Sequence, residues 1–388
     1  MNDLRSALTR LRDRQRLRAH RTLTGPQGVV VTVDGRRRIN FSSNDYLGLA
    51  NHPEVRRALE QGARRWGVGS GSAHLICGHS AAHRALEEEL ADWLGRERVL
   101  LFSTGYMANL AVISTLMGRH DLVLQDRLNH ASLLDAGLLA RSRLQRFRHA
   151  DAAEAAARLA RSTAPDAMVV TDGVFSMDGD LAPLAALAQT CRQHRAWLFV
   201  DDAHGIGVLG PGGRGCVAQA GLTQDDAPVL VGTLGKAFGV AGAFVAGSAV
   251  MIDYLINHAR PYIFTTAQPP AVAEASRAAL RLIRAEAWRR DRLTALIARF
   301  RAACAAADIP LPPADTAIQP IVIGADAAAV RMAAQLEDRG FLVPAIRPPT
   351  VPEGAARLRV TLCADHQDAH IDALAAALAA VRQSADHG

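Results

Sequence analysis

Six short apolar runs constrain this chain more than any other feature. They stand at residues 99–102, 122–124, 168–171, 197–200, 229–231 and 243–246. Segments rich in Ala, Leu and Arg, such as 81–94 and 181–194, lie between most of them with helical period. An apolar run without polar alternation is a strand buried on both faces, and a helix between two such strands lets them pair in parallel. The expected class is therefore α/β, with a mostly parallel sheet covered on both sides. Polar residues gather at the C-terminal ends of these runs, where an open α/β sheet builds its sites.

The flanks read differently. Residues 28–34 alternate valine with polar residues, and Asp34-Gly35 signals a hairpin turn. One long helix is expected over 270–307, closed by Pro310, Pro312 and Pro313. Strands at 319–323, 342–343 and 357–362, with helices at 327–339 and 368–382, make a smaller α+β lobe. The expected division is a basic arm over 1–43, a large domain over 44–268 and a small domain over 269–388. A chain of 388 residues suits such lobes. With 49% hydrophobic and 21% charged residues, wholesale disorder is excluded.

No run of about 18 uncharged apolar residues occurs, so no membrane span is expected. The most apolar stretch, 229–251, is broken by Lys236 and glycines. The first residues alternate in charge where a signal peptide needs an apolar stretch, which points to the cytoplasm. The five cysteines are scattered without a CxxC pair, which argues against a disulfide framework or a zinc site.

The net charge of +6 is local. Residues 1–40 carry ten Arg and three Asp, and the rest of the chain sums to about neutrality. Such an arm suits an anionic partner drawn in by long-range attraction: a phosphate-bearing cofactor, an acidic carrier or nucleic acid. It equally suits a solvated amphipathic helix with Leu4, Leu8, Leu11 and Leu17 on one stripe. Aromatic residues are absent among these arginines, which disfavours nucleic acid.

Of the 44 Lys and Arg residues, all but Lys236 are arginine. That single lysine lies in the Gly-rich segment VGTLGKAFG (231–239), just past a strand. A desolvated amine loses its proton and attacks an aldehyde, whereas a guanidinium stays protonated. An incidental surface lysine would not be confined to such a segment. A P-loop is excluded, since Ala237 follows the lysine and the GxxxxGK[ST] spacing is missing. In WLFVDDAHG (197–205), Asp201 ends a strand, where a carboxylate can pair with a protonated pyridine nitrogen. His204 follows three residues later. A metal pair would need a third ligand at clear spacing, and none is found. In FSTGYMAN (102–109), a strand, a small-residue turn and a helix start make an anion site. In QDRLNHAS (125–132), His130 could stack on a flat ring, though a lone histidine is more often structural.

These segments, in this order, together with NFSSNDYLGL (40–49), GVFSMDGD (173–180) and AIRPPTVP (345–352), resemble the α-oxoamine synthases over nearly the whole chain. These enzymes use pyridoxal 5′-phosphate (PLP) on an aspartate aminotransferase-type fold. The last segment tilts the likeness toward members that condense L-alanine with a pimeloyl thioester, carried by coenzyme A or by acyl-carrier protein. The resemblance implies that Lys236 forms a Schiff base with PLP and that Asp201 holds the pyridine nitrogen. It implies that His130 stacks on the ring, and that Ser176 and His204 contact the ring or its phenolic oxygen. Gly105, Tyr106 and Thr233 would hold the phosphate. Thr265 or Thr266 would reach the phosphate of a neighbouring subunit in a homodimer. Arg347 would bind the amino-acid carboxylate, with Asn44 near the substrate and Arg18 near the acyl group. The family's glycine-rich stretch departs here: residues 69–78 read GSGSAHLICG, with His74 near the usual basic position. Rivals within the family are 2-amino-3-ketobutyrate ligase, 5-aminolevulinate synthase and serine palmitoyltransferase. A basic nucleic-acid-binding or scaffold protein on the same fold is the rival from another class.

Overall fold

A computed structural model of the chain describes residues 3–386. Residues 1–2 and 387–388, the outer ends of the expected arm and small domain, lie outside the described residues. The chain forms two compact units. The larger holds residues 52–176 and 181–287. The smaller holds the stretches up to 51, 177–180 and from 288 onward.

The larger unit is built on a seven-stranded sheet. Its strands are β1 (Arg98–Phe102), β2 (Leu122–Asp126), β3 (Arg143–Phe147), β4 (Ala167–Asp172), β5 (Trp197–Asp201), β6 (Val229–Thr233) and β7 (Ala243–Gly247). Their order is β1-β7-β6-β5-β4-β2-β3. Strands β2 to β6 pair in parallel, and β7 runs antiparallel to both β1 and β6. The six apolar runs are all strands here. The seventh, β3, was not expected, because its sequence RLQRF lacks an apolar run. It is one of the two edges of the sheet and largely exposed, where charged side chains discourage pairing with another chain.

Two helices position the site. Helix α1 (Gly105–Leu116) follows β1, and helix α2 (Ala131–Leu139) follows β2. Thr104 caps α1 by accepting the Met107 N–H at 3.2 Å. The α1 residues Ala108, Ala111 and Val112 are fully buried in one cluster with Phe102, Val231, Val245 and Tyr262. The sheet tolerates no side chain at Gly232: a Cβ there would stand 2.3 Å from the ring of Phe244, its register partner on β7.

In the smaller unit, Ile318–Gly324 pairs antiparallel with Ala356–Thr361, which also pairs with Ala345–Ile346. The expected hairpin forms from Val30–Val33 and Arg36–Asn40, and Phe341–Leu342 adds a parallel third strand. That pairing groups the N-terminal 51 residues with the C-terminal lobe, where the sequence suggested a separate arm. The single long helix expected over 270–307 is two helices, Pro270–Ala285 and Trp288–Ala306. Glu286 leaves helical geometry at φ −104°, ψ 65°, and the boundary between the units falls there. Pro270–Ala285 joins the larger unit because it packs on Pro53–Trp66, with Gly62 against Ala271.

Helix Leu4–Asp13 is capped by Asp3, and its leucine stripe is exposed, 70% at Leu4 and 50% at Leu8. Part of the basic arm is spent inside the unit. Arg16 pairs with Asp326 at 2.7 Å and with Glu353, and Arg21 pairs with Asp34 and Glu337. No helix among the described residues is long and apolar enough to cross a membrane.

Candidate active site

The C-terminal ends of β4, β5 and β6 and the starts of α1 and α2 surround a cavity of about 190 Å³. Gly105, Tyr106, His130, Ser176, Asp201, His204, Thr233 and Lys236 all line it. The cavity therefore unites eight of the expected site residues, drawn from segments more than 130 positions apart. Thr265 and Thr266 do not line it. Arg18, Asn44 and Arg347 belong to the smaller unit.

Each wall has a distinct chemistry. Asp201 ends β5, buried to 5% exposure, with Oδ1 accepting the Ala203 N–H and Oδ2 accepting Asn109 Nδ2 at 2.7 Å. Asp172 ends β4 as its register partner, so two carboxylates stand abreast on adjacent strands. Burial, then the charge of Asp201, raises the Asp172 carboxyl well above the usual range. It accepts the backbone N–H of His130 at 2.7 Å. Burial also lowers the pKa of His130, so its imidazole is neutral near pH 7. Ser132 Oγ lies 2.7 Å from His130 Nδ1.

At the start of α1 the first N–H groups have no acceptor within the helix. A Cβ at Gly105 would meet no atom within 4 Å, so an anion could approach this helix end closely. The Tyr106 hydroxyl donates to Asp135. Thr233 Oγ1 donates to the Gly242 carbonyl at 3.1 Å and accepts the Gly235 N–H. That fixes the turn leading to Lys236.

Asn109, Ser132 and Asp172 also line the cavity, and sequence reasoning gave them no role. A signal existed for Asn109, the only amide in the apolar helix GYMANLAVISTL. Asp172 ends an apolar run just as Asp201 does.

In the smaller unit, Asn44 Oδ1 accepts both terminal nitrogens of buried Arg359 at 3.3 Å. Arg18 reaches Thr350 Oγ1 at 3.4 Å, and its charge, after burial, helps lower the Arg347 pKa. Two guanidiniums thus share one neighbourhood, as an anionic group would require.

His74 stacks on Tyr262, with centroids 5.0 Å apart, and bonds His79 through Nδ1 at 2.9 Å. With His83 these rings bring three nitrogens within 4.8 Å of one another. Both ring nitrogens of His83 already serve the backbone, accepting the Ser80 N–H and donating to the Gln268 carbonyl. The cluster secures the segment holding Thr265 and Thr266: Ala73 bridges Thr266, and the Ser70 hydroxyl donates to Gln268 O at 2.6 Å.

Comparison with known proteins bears on the family and the fold. The family model for class I and II aminotransferases matches residues 36–378. The 8-amino-7-oxononanoate synthase of Methylococcus capsulatus is 60% identical over 99% of both chains. That of Stutzerimonas stutzeri is 57% identical, over 97% of this chain and 96% of its own. A solved serine palmitoyltransferase variant from S. paucimobilis, with bound PLP-myriocin aldimine, is 29% identical with a TM-score of 0.92. It covers all of this chain and 98% of its own. The resemblance to the α-oxoamine synthases thus holds along the whole chain. The chain belongs to the class I and II aminotransferase family and, within it, to the 8-amino-7-oxononanoate synthases.

Proposed function

We propose that this enzyme condenses L-alanine with a pimeloyl thioester, with loss of carbon dioxide and the free thiol carrier, to give 8-amino-7-oxononanoate. One observation carries the reading. The only lysine of the chain shares a cavity with a strand-end carboxylate, a neutral imidazole and an open helix start. That donor set fits PLP: an amine for its aldehyde, a carboxylate for its ring nitrogen, a flat ring for its face and helix N–H groups for its phosphate. When bound, PLP supplies an electron-withdrawing ring that makes the Cα proton of an attached amino acid acidic.

The residues of this chain do the rest. Lys236 holds the cofactor and then moves the proton at alanine Cα. Asp201 orients and charges the ring nitrogen. His130 covers one ring face, and its neutrality avoids a second cation beside Lys236. Ser176 and His204 contact the ring or its phenolic oxygen, and Gly105, Tyr106 and Thr233 hold the phosphate. Arg347 takes the amino-acid carboxylate as a planar fork, Arg18 the acyl donor, and Asn44 the substrate. The proposal includes a homodimer in which Thr265 or Thr266 reaches the partner's phosphate. Exposed Val68 (87%), Ile76 (78%) and Phe264 (70%), in or next to that segment and the glycine-rich stretch, support it. The enzyme is placed in the cytoplasm, and its pimeloyl carrier is coenzyme A or acyl-carrier protein.

A substrate panel read by product mass tests the reading. L-alanine, glycine and L-serine would be paired with acetyl, succinyl, pimeloyl and palmitoyl thioesters on both carriers. The expected product is 8-amino-7-oxononanoate, from L-alanine and a pimeloyl donor. A preference for glycine with acetyl-CoA would overturn it.

A further inference from the structure

Asn109 is 1% exposed in the second turn of α1, and both of its amide protons are used. Nδ2 donates to Asp201 Oδ2 at 2.7 Å and to Ser132 Oγ at 2.8 Å. Its own Oδ1 is buried with no hydrogen-bond partner among the described residues. A buried amide that leaves its acceptor unmet bears the desolvation cost of that oxygen without return, so this orientation needs a cause. The cause is Asp201: the flipped amide would turn its oxygen toward a carboxylate.

We propose that Asn109 is a positioning residue that ties Asp201 and His130 into one rigid frame across the cavity. The proposal rests on the PLP-enzyme reading above. The direction of each bond follows from the chemistry of the groups. Ser132 Oγ accepts from Asn109, so its own proton is available for His130 Nδ1, 2.7 Å away. The Ser132 backbone N–H points at the same Nδ1 at 3.3 Å. Nδ1 is therefore an acceptor, and the neutral ring carries its proton on Nε2. On the other side, Asp201 is held through both oxygens, by Asn109 and by the Ala203 N–H. Two of about four lone-pair sites remain for a ring N–H. One amide thus sets the plane of the carboxylate and, through Ser132, the tautomer of the stacking imidazole. No direct bond links Asp201 to His130, and their alignment is carried by a helix that contributes no charge of its own.

The test uses the full-length enzyme with pyridoxal 5′-phosphate as probe. Three quantities are read: PLP dissociation constant by equilibrium dialysis, the pH midpoint of the visible absorbance of bound PLP, and the melting temperature without PLP. Asn109→Ala is expected to weaken PLP binding by about ten- to a hundredfold, as for loss of a hydrogen bond to a charged group. It should also shift the absorbance midpoint and lower kcat more than the KM for L-alanine. Ser132→Ala should weaken binding only a few-fold, since it releases His130 and one Asn109 N–H but leaves the Asn109–Asp201 bond in place. Asn109→Asp is isosteric and guards against a variant that fails to fold. At pH 8 it should bind at least as poorly as Asn109→Ala, because a second carboxylate would face Asp201. Parent PLP affinity and an unchanged midpoint in Asn109→Ala or Asn109→Asp, with only the melting temperature lowered, would reduce Asn109 to a packing residue and overturn the proposal. If the parent itself bound no PLP, the reading of the site would fail instead.

Discussion

Lys236 stands where no other cation of this chain could serve. A guanidinium remains protonated through the pH range of enzymes and cannot attack an aldehyde. Lys236→Ala and Lys236→Arg are both expected to abolish the visible absorbance that a lysine–PLP imine would give. Both should lower turnover by on the order of 10³-fold or more, with the melting temperature nearly unchanged. Turnover within tenfold of the parent would remove the lysine from the mechanism. The residue scale is also where sequence reading reached furthest and where it stopped. Lys236 follows a recognisable strand, Asp201 ends one, and His130 and the Gly105–Tyr106 turn open helices, so local pattern exposes them. Asn109 and Asp172 carry a local signal, but their role, like that of Ser132, follows from the convergence of β4, β5, α1 and α2, and that convergence is a property of sheet order. Placing α1 and α2 beside β5 requires knowing that β2, β4 and β5 are neighbours, and no local pattern states this.

The same limit appears among the elements. Buried strands were legible because burial on both faces leaves an unbroken apolar run. The edge strand β3 was not, because an edge is stabilised against misassociation by the very charges that hide its pattern. The break at Glu286 is hidden for a similar reason: residues on both sides of it favour helix, so no local pattern marks where the first helix stops. Between β6 and β7, Gly232 and Phe244 occupy one space as complementary halves. Gly232→Ala is expected to cost about 1–3 kcal/mol by overpacking, measured by urea unfolding. Adding Phe244→Leu should recover part of that loss. Strict additivity of the two changes would show that ring and glycine are not in competition.

At the scale of the whole molecule, protons and salt act on different regions. In the smaller unit His366 is 2% exposed and stacks on Phe41 with centroids 4.3 Å apart. Nδ1 accepts the Cys363 N–H, and Nε2 lies 3.1 Å from the Asn40 carbonyl. Burial, aided by His370, lowers its pKa from 6.5 to about 4. The folded state therefore binds this proton less readily than the unfolded chain. The stabilisation is fully present above pH 6.5 and is lost as pH falls toward 4, by about 3 kcal/mol. Urea midpoints across that window should fall more steeply for the parent than for His366→Gln. Parallel curves would assign acid sensitivity elsewhere. The basic arm answers to salt instead. Arg16 and Arg21 are committed to ion pairs, while other arginines of the arm, Arg10 and Arg12 among them, are exposed and available to an anionic donor. Replacing both by Gln should raise the donor KM at low ionic strength and leave it unchanged near 1 M salt, where screening acts over about 3 Å. An identical salt dependence in both proteins would make the arm a solvated helix and nothing more.

The three-stranded sheet of the smaller unit carries a consequence for synthesis. Strand Arg36–Asn40 awaits a partner at Phe341–Leu342, about 300 residues downstream. The larger unit is encoded almost wholly between those points, so a ribosome completes it while the hairpin's open edge is still bare. Until residue 341 emerges, the nascent chain presents unpaired backbone groups along Arg36–Asn40. An arrested or truncated chain would keep that edge unpaired, open to pairing with another chain.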